Sequence, residues 1–249
     1  MRFLPCLLIP CYNHGSTIAA TIERLREYGY PIFLVDDGSD EVSRLELERV
    51  AAREPLLRLI RHPRNLGKGA AVMRAMREAH AAGHSHGLQV DADGQHALQD
   101  VPRFFELARR HPDTVVCGRP VYDDSVPRAR LYGRYLTHFW VWVETLSFAI
   151  GDSMCGYRCY PLAPAVALIA RGRIPLRMDF DSAMIVRLYW MGLPVRNLAT
   201  RVIYPAGGLS HFDALRDNLR ISKMHALLFC GMLPRIPMLL WRRLRRSAS

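Results

Sequence analysis

Lysine is almost missing from this chain. Lys68 and Lys223 are the only two among 34 basic residues, and the rest are arginine. A skew spread over the whole chain follows genomic base composition, so no nucleic-acid partner is inferred from it. Long apolar runs are missing too. The best stretches, Leu136 to Ile150 and Ala226 to Trp241, are interrupted by Glu144 and by Pro234-Arg235-Ile236-Pro237, short of the roughly 18 to 20 uncharged residues that span a bilayer. The first ten residues carry one arginine and a short apolar run ending at Pro10, which reads as a β-strand rather than a signal peptide. Paired-cysteine motifs are absent: Cys6, Cys11, Cys117, Cys155, Cys159 and Cys230 show no CxxC and no Cys/His ligand spacing, so reduced, mostly buried thiols of a cytoplasmic protein are expected. No H-E-x-x-H and no framed cysteine offers a nucleophile. The phosphate loop G-x-x-x-x-G-K-[ST] fails at His62 and Gly69, and G-x-G-x-x-G fails at Val72.

What is present suits one compact globular domain. The 249 residues are 50% hydrophobic and 23% charged, enough to bury a large core. The net charge of +11 is unevenly placed. Residues 218 to 249 hold Arg220, Lys223, Arg235, Arg242, Arg243, Arg245 and Arg246 and no acid, so this tail carries +7 of it. With the Leu, Phe, Met, Ile and Trp of Ala226 to Arg246, the tail has the composition of a helical pair lying on an anionic membrane surface. The chain divides accordingly into a domain, 1–217, and a basic amphipathic membrane-associating segment, 218–249.

Within the domain, short apolar runs alternate with helix-period segments. The runs are Leu4 to Pro10, Pro31 to Val35, Leu56 to Ile60, Gly87 to Val90 and Thr114 to Cys117, and the helical patterns cover 16–28, 41–53, 68–82 and 100–110. This is the α/β pattern of a mainly parallel sheet with helices on both faces. Ligands of such sheets bind at the carboxyl ends of the strands. Four polar motifs stand there: Pro10-Cys11-Tyr12-Asn13, Asp36-Asp37-Gly38-Ser39, Asn65-Leu66-Gly67-Lys68-Gly69 and Asp91-Ala92-Asp93-Gly94-Gln95-His96.

Each motif has a structural and a chemical reading. Asp91 and Asp93, two apart at a strand end, lean to the same side and suit Mg²⁺ or Mn²⁺, which fill their remaining positions with water and phosphate; they could equally cap turn amides. Asp36 and Asp37 cap the next helix or hold a base or ribose. Gly67-Lys68-Gly69 opens a helix, a place for a diphosphate. The ten histidines are dispersed and single none out. Together these residues point to metal-assisted chemistry on a nucleoside diphosphate.

In order and spacing the four motifs closely resemble the family-2 inverting glycosyltransferases of GT-A fold, and within them the dolichyl- or polyprenyl-phosphate mannose synthase group. The resemblance covers residue 4 to about residue 212. It implies a Rossmann-like GT-A domain in which Pro10, Tyr12, Asn13, Asp36, Asp37, Lys68 and Asp91 hold a GDP- or UDP-hexose and Asp91, Asp93 and Gln95 hold the ion. It places the acceptor side at Gly118-Arg119, Asp152 to Arg158 and Met178 to Asp181. Two positions depart from it: His14 stands where many relatives have Glu, and His211 where the lipid-phosphate group often has Lys.

The mechanism so implied is a single displacement with the diphosphate leaving toward the ion. A lipid phosphate, largely ionised at neutral pH, needs no base, and Arg119, Arg134, Arg158 and His211 would be its counter-charges. A hydroxyl acceptor on a lipid, polyene or glycan needs one, and Asp181 or Asp179 is the candidate; both could instead cap the helix that follows. The segment Arg128 to Ile150, with Arg130, Trp140, Trp142 and Phe148, is either an acceptor groove or core. The expected place of the protein is the inner face of the cell membrane, peripherally bound. A non-catalytic, basic membrane-binding protein would explain the tail but not four ordered strand-end motifs.

Overall fold

A computed structural model describes residues 2–121, 128–172, 174–201 and 214–247. His211 lies outside the described residues, as do the side chains of Arg128 and Arg130.

The strands are β1 (Pro5–Cys11), β2 (Ile32–Asp36), β3 (Leu57–Arg61), β4 (His86–Gln89), β5 (Val115–Val121), β6 (Arg158–Pro161) and β7 (Val195–Arg201). Between them run α1 (Gly15–Arg26), α2 (Glu41–Arg53), α3 (Lys68–Ala81), α4 (Val101–Arg110), α5 (Arg128–Thr145), α6 (Leu162–Ala170) and α7 (Phe180–Trp190). The described strands form one sheet in the order β3-β2-β1-β4-β6-β5-β7. All five expected strands are present. The two unexpected ones complete the sheet: β6 pairs antiparallel with both β4 and β5, and β7 extends the edge parallel to β5.

The inner strands read as continuous apolar runs because both faces are covered. Alternate residues of β1 serve opposite faces. Cys6 and Leu8 join the core built with α3, α6 and α7, while Leu7, Ile9 and Cys11 join the core built with α1 and α4. The chain goes outward from β1 through β2 to β3 and then returns to the other side of β1 with β4. That reversal opens a crevice at the carboxyl ends of β1 and β4.

The C-terminal segment is α8 (Ala214–Met232), one 3-10 turn and α9 (Ile236–Ser247). The prolines do not break the run as the sequence suggested. Pro234 lies in the first positions of the 3-10 turn and Pro237 in the first turn of α9, where a missing N–H costs no helical hydrogen bond. Leu215 to Arg245 is therefore long and apolar enough to cross a membrane by length and composition. One stripe of it, Met224, Leu228, Met232 and Leu239, is nonetheless packed into the domain core. Leu233, Leu240, Trp241 and Leu244 stay exposed.

Candidate active site

The crevice is organised first by two short loops. β1 and β2 run in register to Cys11 and Asp36, so the loops that follow touch. Asn13 donates its backbone N–H to the Ser39 hydroxyl at 3.0 Å, and its side-chain oxygen accepts from Asp40 N–H at 2.9 Å. Its backbone lies in the left-handed region, φ 54°, which asparagine adopts more readily than most residues. Asp37 is buried and its carboxylate accepts from Leu66 N–H, Gly67 N–H and His62 Nδ1 at 3.0, 2.8 and 2.7 Å. Asp36 accepts from Ser39 N–H at 3.0 Å and faces Arg61. Both aspartates thus shape the loops and point most of their lone pairs inward. Gly38, at φ 72°, has no room for a side chain: a Cβ would lie 2.3 Å from the Arg64 backbone.

At the end of β4 lies the charged centre. Lys68, the first residue of α3, reaches Asp91 Oδ2 at 2.8 Å and Asp181 Oδ2 at 3.1 Å. Gln89 donates from Nε2 to the same two carboxylates, at 3.4 Å to Asp91 and 3.3 Å to Asp181. Amide oxygen and nitrogen are told apart here by their neighbours, since only the NH₂ can face two carboxylates. Asp181, in the first turn of α7, is further held by Arg158, which donates to its backbone carbonyl at 2.5 Å. His96 accepts from Asp91 N–H at 3.2 Å and stacks on Tyr157 at 4.5 Å between ring centres.

Charge and burial oppose each other in this cluster. Burial alone would raise the Asp91 pKa, but the adjacent Lys68 ammonium lowers it to about 2. Burial would likewise lower Lys68, and the charges of Asp181 and Asp91 push it well above the ordinary lysine value instead. Desolvation keeps His96 below the usual imidazole range. Asp91 and Lys68 thus hold each other in their charged forms.

Asp93 and Gln95 stand beside this cluster on the same loop. Both are half-buried, and Asp93 accepts the Gln95 N–H at 3.0 Å. Among the described residues no three His, Cys, Asp or Glu side chains converge as a closed metal cage. Hard oxygen donors on an open loop are still what Mg²⁺ or Mn²⁺ take, because these ions retain waters and phosphate oxygens. The donor chemistry fits such an ion.

On the acceptor side the predicted arginines separate. Arg134 forms a bidentate pair with Asp152 at 2.6 and 2.9 Å, and His138 approaches the same carboxylate at 3.3 Å. Asp152 also accepts from Met154 and Cys155 N–H. Arg119 is exposed at the end of β5. Arg158 is fully buried, with its guanidinium on the carbonyls of Asp181 and Asp152, so the structure puts it behind the crevice and not on its surface. Asp179 takes the N-cap position of α7 without a side-chain cap bond, outside the charged centre. Tyr12 lines the β1 loop half-buried, and Pro10 is buried behind it. Gln89 and His138 carry no motif that marks them, and their parts follow only from what they touch; Gly156 lies within the Asp152 to Arg158 motif, but its place against Gln89, Lys68 and Asp91 shows only in the fold.

The residues from 6 to 171 match the model of the Glycosyl transferase family 2. The chain belongs to that family. A dolichyl-phosphate beta-glucosyltransferase of Dictyostelium discoideum is 25% identical over 87% of this chain and 71% of its own length. An undecaprenyl-phosphate 4-deoxy-4-formamido-L-arabinose transferase of Pectobacterium carotovorum is 34% identical over 61% and 46%. Among solved structures, mannosyltransferase PcManGT of Pyrobaculum calidifontis, in complex with GDP-Man and Mn²⁺, overlays with a TM-score of 0.58 at 16% identity, covering 100% of this chain and 76% of that one. TarS of S. aureus with UDP-GlcNAc gives 0.61 at 14% identity over 90% and 66%. The chain thus spans less than two thirds of some of these proteins. The fold is that of the GT-A glycosyltransferases, and the enzyme is related to polyprenyl-phosphate sugar transferases.

Proposed function

We propose that this enzyme transfers a hexose from a GDP- or UDP-hexose to a lipid-linked acceptor, a polyprenyl phosphate or similar, with inversion and at the cytoplasmic face of the membrane. The observation that carries the reading is the convergence of Asp181, from the acceptor-side helix α7, on Asp91, from the donor-side end of β4. The named activities of the relatives and the Mn²⁺ and nucleotide sugars of the neighbours agree with it.

In this reading the nucleoside rests on the loop Pro10 to Asn13, whose shape Asp36 and Asp37 maintain. A divalent ion, when bound on the Asp91–Gln95 loop, supplies Lewis-acid stabilisation of the departing diphosphate. Arg134 and Arg119 offer positive charge toward an anionic acceptor. Asp152 already neutralises Arg134 in part, so an incoming phosphate shares or displaces that carboxylate. The exposed Leu233, Leu240, Trp241 and Leu244 with Arg235, Arg243 and Arg245 rest on an anionic bilayer interface, while Arg242 is held by the Tyr189 and Trp190 carbonyls. A hydroxyl acceptor is the second reading, favoured by the central place of Asp181, which would then take the acceptor proton; Asp179 is too peripheral to share that task.

The test is turnover of a panel of UDP- and GDP-hexoses with Mn²⁺ and polyprenyl phosphate. Asp93→Ala is expected to lower kcat by ~10²-fold or more, as loss of a group that stabilises developing charge does. Full activity of that variant would remove the ion from the mechanism.

A further inference from the structure

The arginines of the C-terminal segment do not all face the same way. Arg243 is exposed beside Leu244, whereas Arg242, one position earlier, turns inward and is half-buried. Its Nη1 donates to the Trp190 carbonyl at 2.9 Å and lies 3.4 Å from the Tyr189 carbonyl, at the C-terminal end of α7. A helix ends in carbonyls that have no partner within it. The turn after α7 covers those of Arg187, Leu188 and Tyr189 with its own amides, and the Trp190 carbonyl is met by Arg242. A cation there also faces the negative end of the helix dipole. Room for the guanidinium comes from Gly192, at φ 101°, where a Cβ would stand 3.2 Å from Arg242 Nη2.

Trp190 is the hub of the same joint. Arg235 lies over its ring, 4.8 Å from the centre, and a Cβ on Gly231 would stand 3.1 Å from the ring's edge. Its Nε1 donates to the Glu144 carbonyl of α5 at 2.9 Å, and the buried Glu144 carboxylate reaches His225 of α8 at 2.7 Å. At the other end of α7, ~14 Å along the axis, stands Asp181. Every residue of α7 except Arg187 is buried, and a close-packed interior transmits displacement instead of absorbing it. What seats the C-terminal end of α7 therefore sets where Asp181 stands in the charged centre.

We propose that Arg242 is a positioning residue, which reaches from the C-terminal segment to seat the far end of α7 and thereby places Asp181. The C-terminal segment then serves the reaction itself as well as the membrane surface. This rests on the glycosyltransferase reading for its turnover arm and on α7 alone for its exchange arm. An arginine kept for the bilayer would act on vesicle binding; one that seats α7 acts on the rate when no bilayer is present.

The experiment uses the full chain with Arg242→Met, Arg242→Lys and Arg243→Gln. Transfer is measured with farnesyl phosphate as acceptor and no vesicles, membrane binding by sedimentation with phosphatidylserine vesicles, and the seating of α7 by hydrogen–deuterium exchange of peptides covering residues 180–193. In Arg242→Met kcat is expected to fall by about tenfold or more, toward the ~10²-fold that an ångström of misplacement costs, with donor KM within about threefold of wild type. Exchange at the C-terminal end of α7 is expected to quicken by about tenfold, as a charged hydrogen bond is lost. Arg242→Lys keeps a cation on the carbonyls and guards against loss of the fold, so it is expected to retain about a third or more of wild-type kcat. Arg243→Gln is expected to weaken vesicle binding by about fivefold and to leave the exchange of α7 at the wild-type rate. Wild-type kcat in Arg242→Met would overturn the proposal. So would a fall in kcat with no change in α7 exchange, or a loss of vesicle binding with kcat and exchange both retained, which returns Arg242 to the bilayer. Absence of turnover in the wild-type enzyme would strike the glycosyltransferase reading, and the exchange of α7 would then decide by itself whether Arg242 seats that helix.

Discussion

A single methyl group at position 156 is the smallest perturbation that reaches the charged centre. In Gly156→Ala the new Cβ meets Gln89 Nε2 at 2.6 Å, Lys68 Nζ at 2.8 Å and Asp91 Oδ2 at 3.0 Å. All three are ends of side chains, which swing aside, so little backbone strain arises. Each must leave a charged hydrogen bond to do so, and such bonds contribute about 1.5–3 kcal/mol. With partial re-pairing we expect a net loss of about 2 kcal/mol, which for a domain of this size lowers Tm by about 4–8 °C. Gly69→Ala provides the contrast. Its Cβ would lie 2.6 Å from Phe180 Cβ and 2.7 Å from the Pro175 carbonyl, neither of which can swing. Overpacking costs about 1–3 kcal/mol and more where the neighbours are rigid, so Gly69→Ala should melt at or below Gly156→Ala. Activity per folded molecule should fall ~10²-fold in Gly156→Ala, because the three displaced groups set the site's geometry. Scanning calorimetry and sugar-transfer assays on the same preparations decide it. Wild-type kcat in Gly156→Ala would refute the view that this cluster is held together for catalysis.

Three further outcomes are expected. Burial would raise the Asp152 carboxyl, but the His138 hydrogen bond and the Arg134 charge hold it well below the usual carboxylate range. Its contribution to stability is thus complete above the ordinary value of about 3.9 and is lost as pH falls toward the folded-state value. Asp152→Asn should lower the urea midpoint at neutral pH, and its deficit against wild type should shrink in acid; a deficit independent of pH would show that the pairing is not the cause. Leu244, exposed on α9, should tolerate Glu without loss of Tm, yet Leu244→Glu should weaken binding to phosphatidylserine vesicles by about tenfold or more, from ~1.5–3 kcal/mol of apolar transfer. Unaltered sedimentation with vesicles would remove α9 from the membrane surface. Arg158→Met should destabilise the fold strongly, since Asp181 and Asp152 carbonyls lose a buried charged donor, while the vesicle binding of the folded fraction stays as it was.

Local pattern was sufficient for the first half of the molecule. Short, mainly apolar runs bounded by Pro, Gly and Asp mark β1 to β4, and the helix α2 occupies 41–53 as its periodicity indicates. Strand ends in a parallel sheet collect at one edge, so Tyr12, Asn13, Asp36, Asp37, Asp91 and Asp93 could be assigned to one crevice from their order in the chain. The basic tail was legible for the same reason: charge and apolar content are properties of a segment, not of its partners. Folding in three dimensions decided the rest. β6 is four residues with an arginine at its start, too short and too polar to signal a strand until β4 and β5 flank it. β7 mixes Arg196, Asn197 and Arg201 with its apolar residues because it forms the sheet's edge. Above all, pairing lies beyond any local pattern. Lys68 and Asp181 are 113 positions apart, and nothing short-range distinguishes a lysine that meets phosphate from one that meets two carboxylates. Only the packing of α7 against the end of β4 shows that this chain's most prominent cation belongs to its own acids.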